Sequence, residues 1–247
     1  LKAIKTMLNS YRQHLLENTE LSPLQVWYDK VDASTLLENT ECRKLRKKRE
    51  KHLDSAQKRN AHSVLPKLTQ QDQETGFRYF VDDAPLLWHP NTDEPFSQSV
   101  ETFFQQYRDS LKYDRQVLFD RYQRSDVALK VVGVGSVGTR SAIALFQDAD
   151  REPLILQMKE ANPSILSPLF LEKVKQERER VIHAQHKKQA ASDIFLGFST
   201  LEKHFHVRQL RDMKISVDLA DMDDAYFYEY AESCGLALAH AHAKAGN

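Results

Sequence analysis

The chain has 247 residues, with 35 Lys+Arg balanced by 35 Asp+Glu, 41% apolar residues and two cysteines, Cys42 and Cys234. Its length corresponds to one large or two unequal domains at about 150 residues each. The zero net charge argues against a dedicated nucleic-acid binder. No apolar stretch approaches the ~18 residues that span a bilayer, the start lacks a signal-peptide core, and two cysteines make no disulfide framework. No membrane and a cytoplasmic location are the resulting expectations. Leu1 in place of Met, and an end at Gly246-Asn247 just after a helical pattern, read as a piece of a longer protein.

Residues 1–64 carry helical patterns. Ile4, Leu8, Tyr11 and Leu15 form one stripe. Ser22-Pro23 opens a second helix as N-cap and first helical residue, and this helix carries Val26, Trp27, Tyr28 and Val31. Segment 41–60 has nine Lys/Arg against three Asp/Glu. It is either a solvated helix face or a surface for an anionic partner, and with no interleaved aromatic it is no base-stacking platform. Residues 65–96, punctuated by Pro66, Gly76, Pro85, Pro90 and Pro95, read as a linker with a short strand at 77–81. Helix returns over 97–123, where Val100, Phe103, Phe104, Tyr107 and Leu111 share a face.

From Asp126 the period changes to short strands at 127–132, 141–146 and 153–158. A long polar helix from about 166 to 191 follows, then strands at 194–198 and 205–210, an acidic connector, and a last helix at 226–244. The expected architecture is α+β. A small lobe at 124–216 has an antiparallel sheet and one long helix, the helical region 1–123 precedes it, and residues 217–247 return to the helical lobe.

Three of the seven glycines fall in Gly133-Val134-Gly135-Ser136-Val137-Gly138, a G-x-G-x-x-G after a strand. With a helix behind it, the motif is a dinucleotide fingerprint of an oxidoreductase type, Glu160 taking the ribose. With a second strand behind it, the motif is a kinase-type flap whose backbone lies over the phosphates. The bland reading is a tight hairpin turn. Residues 139–146 permit helix or strand, and their conformation decides. In the flap reading, Lys159 neutralises α/β-phosphate charge and a carboxylate on the next helix holds it: Glu179, or else Glu177 or Glu172. A lysine at a strand end is otherwise a solvated surface residue. Two strands after the long helix fit the kinase order better than a parallel sheet. A non-catalytic interaction domain using segment 41–60 is the third reading.

The histidine pairs are weaker signals. His204 and His206 share a strand face, and His183 and His186 share a helix face, yet no cysteine or carboxylate spacing completes a metal site. The run 208–214 is a solvated loop or a hinge reaching the nucleotide.

Several of these runs resemble one bacterial family, the domain-of-unknown-function family DUF2252. They are Asp126 to Arg140, Leu156-Gln-Met-Lys-Glu-Ala161, Gln189 to Gly197, Val207 to Lys214, Cys234 to Gly246, and Val26-Trp27-Tyr28. The resemblance implies a protein-kinase-like or aminoglycoside-phosphotransferase-like fold with its parts in rearranged order. It also implies an upstream Gly-Asp-x-His-x-x-Asn segment and an Asp-Phe-Asp segment, both expected before Leu1. The chain departs from the family pattern at Ser167, where Glu is common, and at Asn247, where Asp is usual. The combined expectation is an ATP-binding module with Gly133, Gly135, Ser136, Gly138, Lys159 and Glu179 at the nucleotide. Mg²⁺ would be held from outside this chain, the acceptor is unassigned, and the fragment itself has no catalytic residues.

Overall fold

The computed structural model describes residues 1–31, 46, 47, 50, 54, 61–90, 94–131, 133, 138–166, 168, 177–210 and 222–246. At 61–64, 94–97, 177 and 178 only the backbone is described. In chain order the elements are α1 (Lys2–Thr19), α2 (Pro23–Tyr28), α3 (Ala61–Leu68), β1 (Thr69–Gln71), β2 (Arg78–Phe80), β3 (Leu87–Trp88), α4 (Glu94–Ser110), α5 (Tyr113–Phe119), β4 (Gln123–Lys130), β5 (Ser141–Gln147), β6 (Pro153–Glu160), α6 (Glu177–Lys188), β7 (Gly197–Thr200), β8 (His204–Gln209) and α7 (Asp224–Ala245). Of the basic segment 41–60, Arg46, Lys47, Glu50 and Asp54 are helical, and the rest lies outside the described residues.

The chain forms an α+β protein of two compact units. One contains Leu1–Lys58, Ala184–Ser192 and Met213–Asn247; the other contains Arg59–His183 and Asp193–Asp212. Compactness therefore divides the chain differently from composition. Residues 59–123, expected with the N-terminal helices, group with the sheet because α4 covers one of its faces.

In the helical unit, Ser22 caps α2 as its sequence predicts. Ser22 Oγ accepts from Gln25 N–H at 3.3 Å, and Gln25 Oε1 accepts from Ser22 N–H at 2.8 Å. Helix α1 packs on α7 through small residues. A Cβ on Gly235 would strike the Met7 carbonyl and the Ser10 Cβ, and Ser10 Oγ donates to Glu232 O at 2.8 Å. The stripe is divided: Ile4 and Leu8 are 60% and 56% exposed, whereas Tyr11 and Leu15 are half-buried and Tyr11 Oη lies 3.0 Å from His242 Nδ1 of α7. The closest approach of α7 is made at the small residue Ser10, beside Gly235.

In the sheet unit, six antiparallel strands run in the order β3-β4-β5-β6-β8-β7, and β1 with β2 forms a separate ribbon. Strand alternation assigns side chains to two faces. Ala144, Phe146, Leu154, Leu156, Met158, Phe205 and Val207 meet Phe103, Phe104 and Tyr107 of α4 and Phe119 of α5. Aromatic rings meet edge to face there, with Phe104–Phe146 centroids 5.2 Å apart. On the other face, Ala128, Ile143, Leu145 and Ile155 pack with Leu65, Phe80 and Leu87.

The single helix expected over 97–123 is two, α4 and α5, broken at Leu111-Lys112. The strand expected at 194–198 begins three residues later, as β7. Asp193 causes the delay. Its Oδ1 accepts from Phe195 N–H at 2.9 Å and its Oδ2 from Gln209 N–H at 2.6 Å, which turns the chain at 194–195 and ties the turn to β8. The β5–β6 connection is a tight turn around Asp148. Its Oδ1 accepts from the Asp150 and Glu152 N–H groups at 3.0 and 2.8 Å, and Arg151 takes a positive φ of 67°.

Candidate functional site

A strand follows the glycine segment: β5 pairs antiparallel with β4, in a ladder that reaches Leu129↔Ala142. No helix N-terminus stands there to receive a pyrophosphate, so the geometry a dinucleotide fingerprint requires is absent at this position. Gly133 and Gly138 take φ of 67° and 80°, the left-handed region that disfavours side chains, and a Cβ at either would meet nothing within 4 Å. Glycine is needed there for conformation. Gly135 and Ser136 lie outside the described residues.

Strand β6 is fully interior to the sheet, flanked by β5 and β8. Lys159 near its end pairs across with Ser141 on one side and His206 on the other. Two positions back, Gln157 lies between Ile143 and Arg208. By alternation Ser141, Gln157, Lys159, His206 and Arg208 share one face. This face gathers three basic residues, Lys159, His206 and Arg208, all half-buried, beside the buried Gln157 and Ser141. Burial comes first, and the charges of Arg208, Lys159 and Arg180 follow, in pushing His206 down to about 4. Its ring is thus neutral at pH 7. His206 Nδ1 and Arg208 Nε are buried with no hydrogen-bond partner among the described residues.

Glu160, the next residue, points to the opposite face. Its Oε2 accepts from Arg140 N–H at 2.9 Å, Arg140 O accepts from Glu160 N–H at 3.0 Å, and Oε1 lies 3.9 Å from Lys203 Nζ. The carboxylate offered for a ribose in the dinucleotide reading is thus occupied in mooring the end of the glycine segment. Glu179 lies half-buried in the first turn of α6, one residue before Arg180, whose Nη2 donates to Asn162 O at 3.1 Å. Glu172 lies outside the described residues, as does the side chain of Glu177.

Sequence reasoning missed the involvement of His206 and Arg208 with Lys159. It weighed His204-x-His206 only as an incomplete metal pair, and Arg208 only as part of a run, 208–214, that is a solvated loop or a hinge. The available signal was the alternation along β8, but only the β6–β8 register brings it beside Lys159. Among the described residues no group of three or more His, Cys, Asp or Glu is placed to hold a metal ion. No described helix is long and apolar enough to cross a membrane.

The fold and this face define an α+β protein whose antiparallel sheet carries a glycine hairpin beside a basic strand surface. The chain belongs to the family of uncharacterized proteins conserved in bacteria, DUF2252, whose model matches residues 1–247. No curated protein and no solved structure matches it.

Proposed function

We propose that this chain is a nucleotide-binding module of the kinase type, with ATP as its ligand and Mg²⁺ as the companion of the nucleotide. The observation that carries the reading is the hairpin. Two glycines at positive φ bracket the connection between antiparallel β4 and β5, and β6 places Lys159 opposite Ser141, the first residue of β5. The succession of glycine hairpin, lysine strand, helix α6 and two further strands supports it. So does the antiparallel order β4-β5-β6-β8-β7. Gly133, Gly135 and Gly138 let backbone N–H groups approach the phosphates, with Ser136 of the same run as a contact. Lys159 neutralises phosphate charge, and Glu179 of α6 holds the lysine in place. No residue of this chain is assigned to the metal, to general base catalysis or to the acceptor.

The test is a titration of the protein with Mg-ATP, read by calorimetry and by thermal shift, in the parent and in Lys159→Met. The parent binds and is stabilised. The variant keeps its unliganded melting temperature and loses the stabilisation. Unchanged ATP affinity in Lys159→Met overturns the assignment, and an Ala substitution of Glu179 that leaves affinity intact removes that residue from it.

A further inference from the structure

Deepening that reading, and resting on its placement of an anion beside Lys159, we propose that His206 and Arg208 continue the anion-binding surface across β8. The face then takes a polyphosphate chain rather than a single phosphate. The register is the first ground. Lys159 and His206 are Cα partners, and Arg208 pairs with Gln157, so the three basic residues lie on one face of two adjacent strands. Residues two apart along a strand are separated by about 7 Å, so the surface is longer than one phosphate group.

The second ground is hydrogen bonding. Buried donors and acceptors are almost always satisfied, and an orphan calls for an explanation. Here two orphans, His206 Nδ1 and Arg208 Nε, which find no hydrogen-bond partner among the described residues, fall two positions apart on the same face. An Arg Nε–H can only donate, so the partner it lacks is an acceptor. Placed beside other cations, that acceptor is favoured as an anionic oxygen. An oxygen at His206 Nδ1 selects the tautomer that carries its proton there.

A polyphosphate chain has two sources, a nucleotide triphosphate and inorganic polyphosphate. They are separated by titrating the 247-residue protein with ATP, with and without Mg²⁺, and with sodium tripolyphosphate. The variants are Lys159→Met, His206→Gln, Arg208→Gln and Arg208→Lys. His206→Gln and Arg208→Gln are each expected to weaken both ligands at least tenfold, with Arg208→Lys intermediate. If only Lys159→Met affects ATP while the β8 variants bind like the parent, this inference falls and the nucleotide reading stands. If tripolyphosphate binds, depends on Arg208, and ATP does not bind, the polyphosphate surface stands and the nucleotide reading falls. If the parent binds neither, both fall. Should Arg208→Gln fail to fold, His206→Gln and Arg208→Lys decide between the same outcomes.

Discussion

His89 is held between two carboxylates. Its Nδ1 is 2.7 Å from Asp82 Oδ1 and its Nε2 is 3.0 Å from Asp126 Oδ2, an oxygen that also accepts from Phe80 N–H at 2.6 Å. Burial pulls its basicity down, but the hydrogen bonds and charges of Asp126 and Asp82 together outweigh it, and the net shift is upward. Such a histidine contributes stability that is complete below its unfolded value of about 6.5 and fades as pH rises through the folded value. With the side chain 32% exposed, solvent screens the pairs and the contribution is about 0.5–1 kcal/mol. His89→Gln is therefore expected to lower the urea midpoint at pH 5.5 and to lose much of that deficit by pH 8.5. His206 works in the opposite sense. Depressed to about 4 when folded, it binds its proton more readily in the unfolded chain between pH 4 and 6.5, so it costs stability as pH falls through that window. The cost is up to about 3 kcal/mol. In His206→Gln the midpoint should be flatter than the parent's over this range, and an unchanged slope would contradict the burial of the ring among cations.

At the scale of elements, two glycines are required for different reasons. A Cβ on Gly197 in β7 would come within 2.7 Å of Ser110 Oγ and 2.8 Å of Tyr107 Cε2. Tyr107 is buried and donates to Phe195 O at 2.7 Å, so it has no room to yield. Gly197→Ala should cost about 1–3 kcal/mol by overpacking, measurable as a shift in chemical denaturation. Gly138 meets no such wall. There Ala adds only the strain of a positive φ, about 1–2 kcal/mol, and the same strain at the hairpin should weaken ATP binding in the titration above. Strands β4, β5, β6 and β8 were legible because short apolar runs between turn residues mark them. The two-residue β3 was not, since Leu87-Trp88 is too short to show a period and forms only by pairing with Lys130 and Leu129. Nor was the start of β7, which a single carboxylate, Asp193, sets from outside the strand.

For the whole molecule, the two compact units predict an unfolding that is not two-state. Gly235→Ala, which intrudes on α1, should lower one calorimetric transition, and Gly197→Ala the other. A single transition displaced equally by both would show that the units unfold together. Of the proposed site, only the glycine run and Lys159 could be singled out from the sequence. Composition isolates the glycine run, and the motif leads to Lys159 and a helix carboxylate. The β8 partners were hidden because no local pattern encodes which strand lies beside β6. That adjacency is settled by long-range pairing across α6.

Strand β6 sets Lys159 and Glu160 on opposite faces, the amine toward His206 and the carboxylate toward Arg140. A slip of one position in its pairing would exchange them, since side chains alternate with period two. A carboxylate would then stand where the proposed anion-binding face has an amine. What guards against the slip stands at the far end of the hairpin, where Asp148 gathers two N–H groups and Arg151 bends against its preference. Deleting one residue from that distant bend should invert the polarity of the surface without touching a single residue on it.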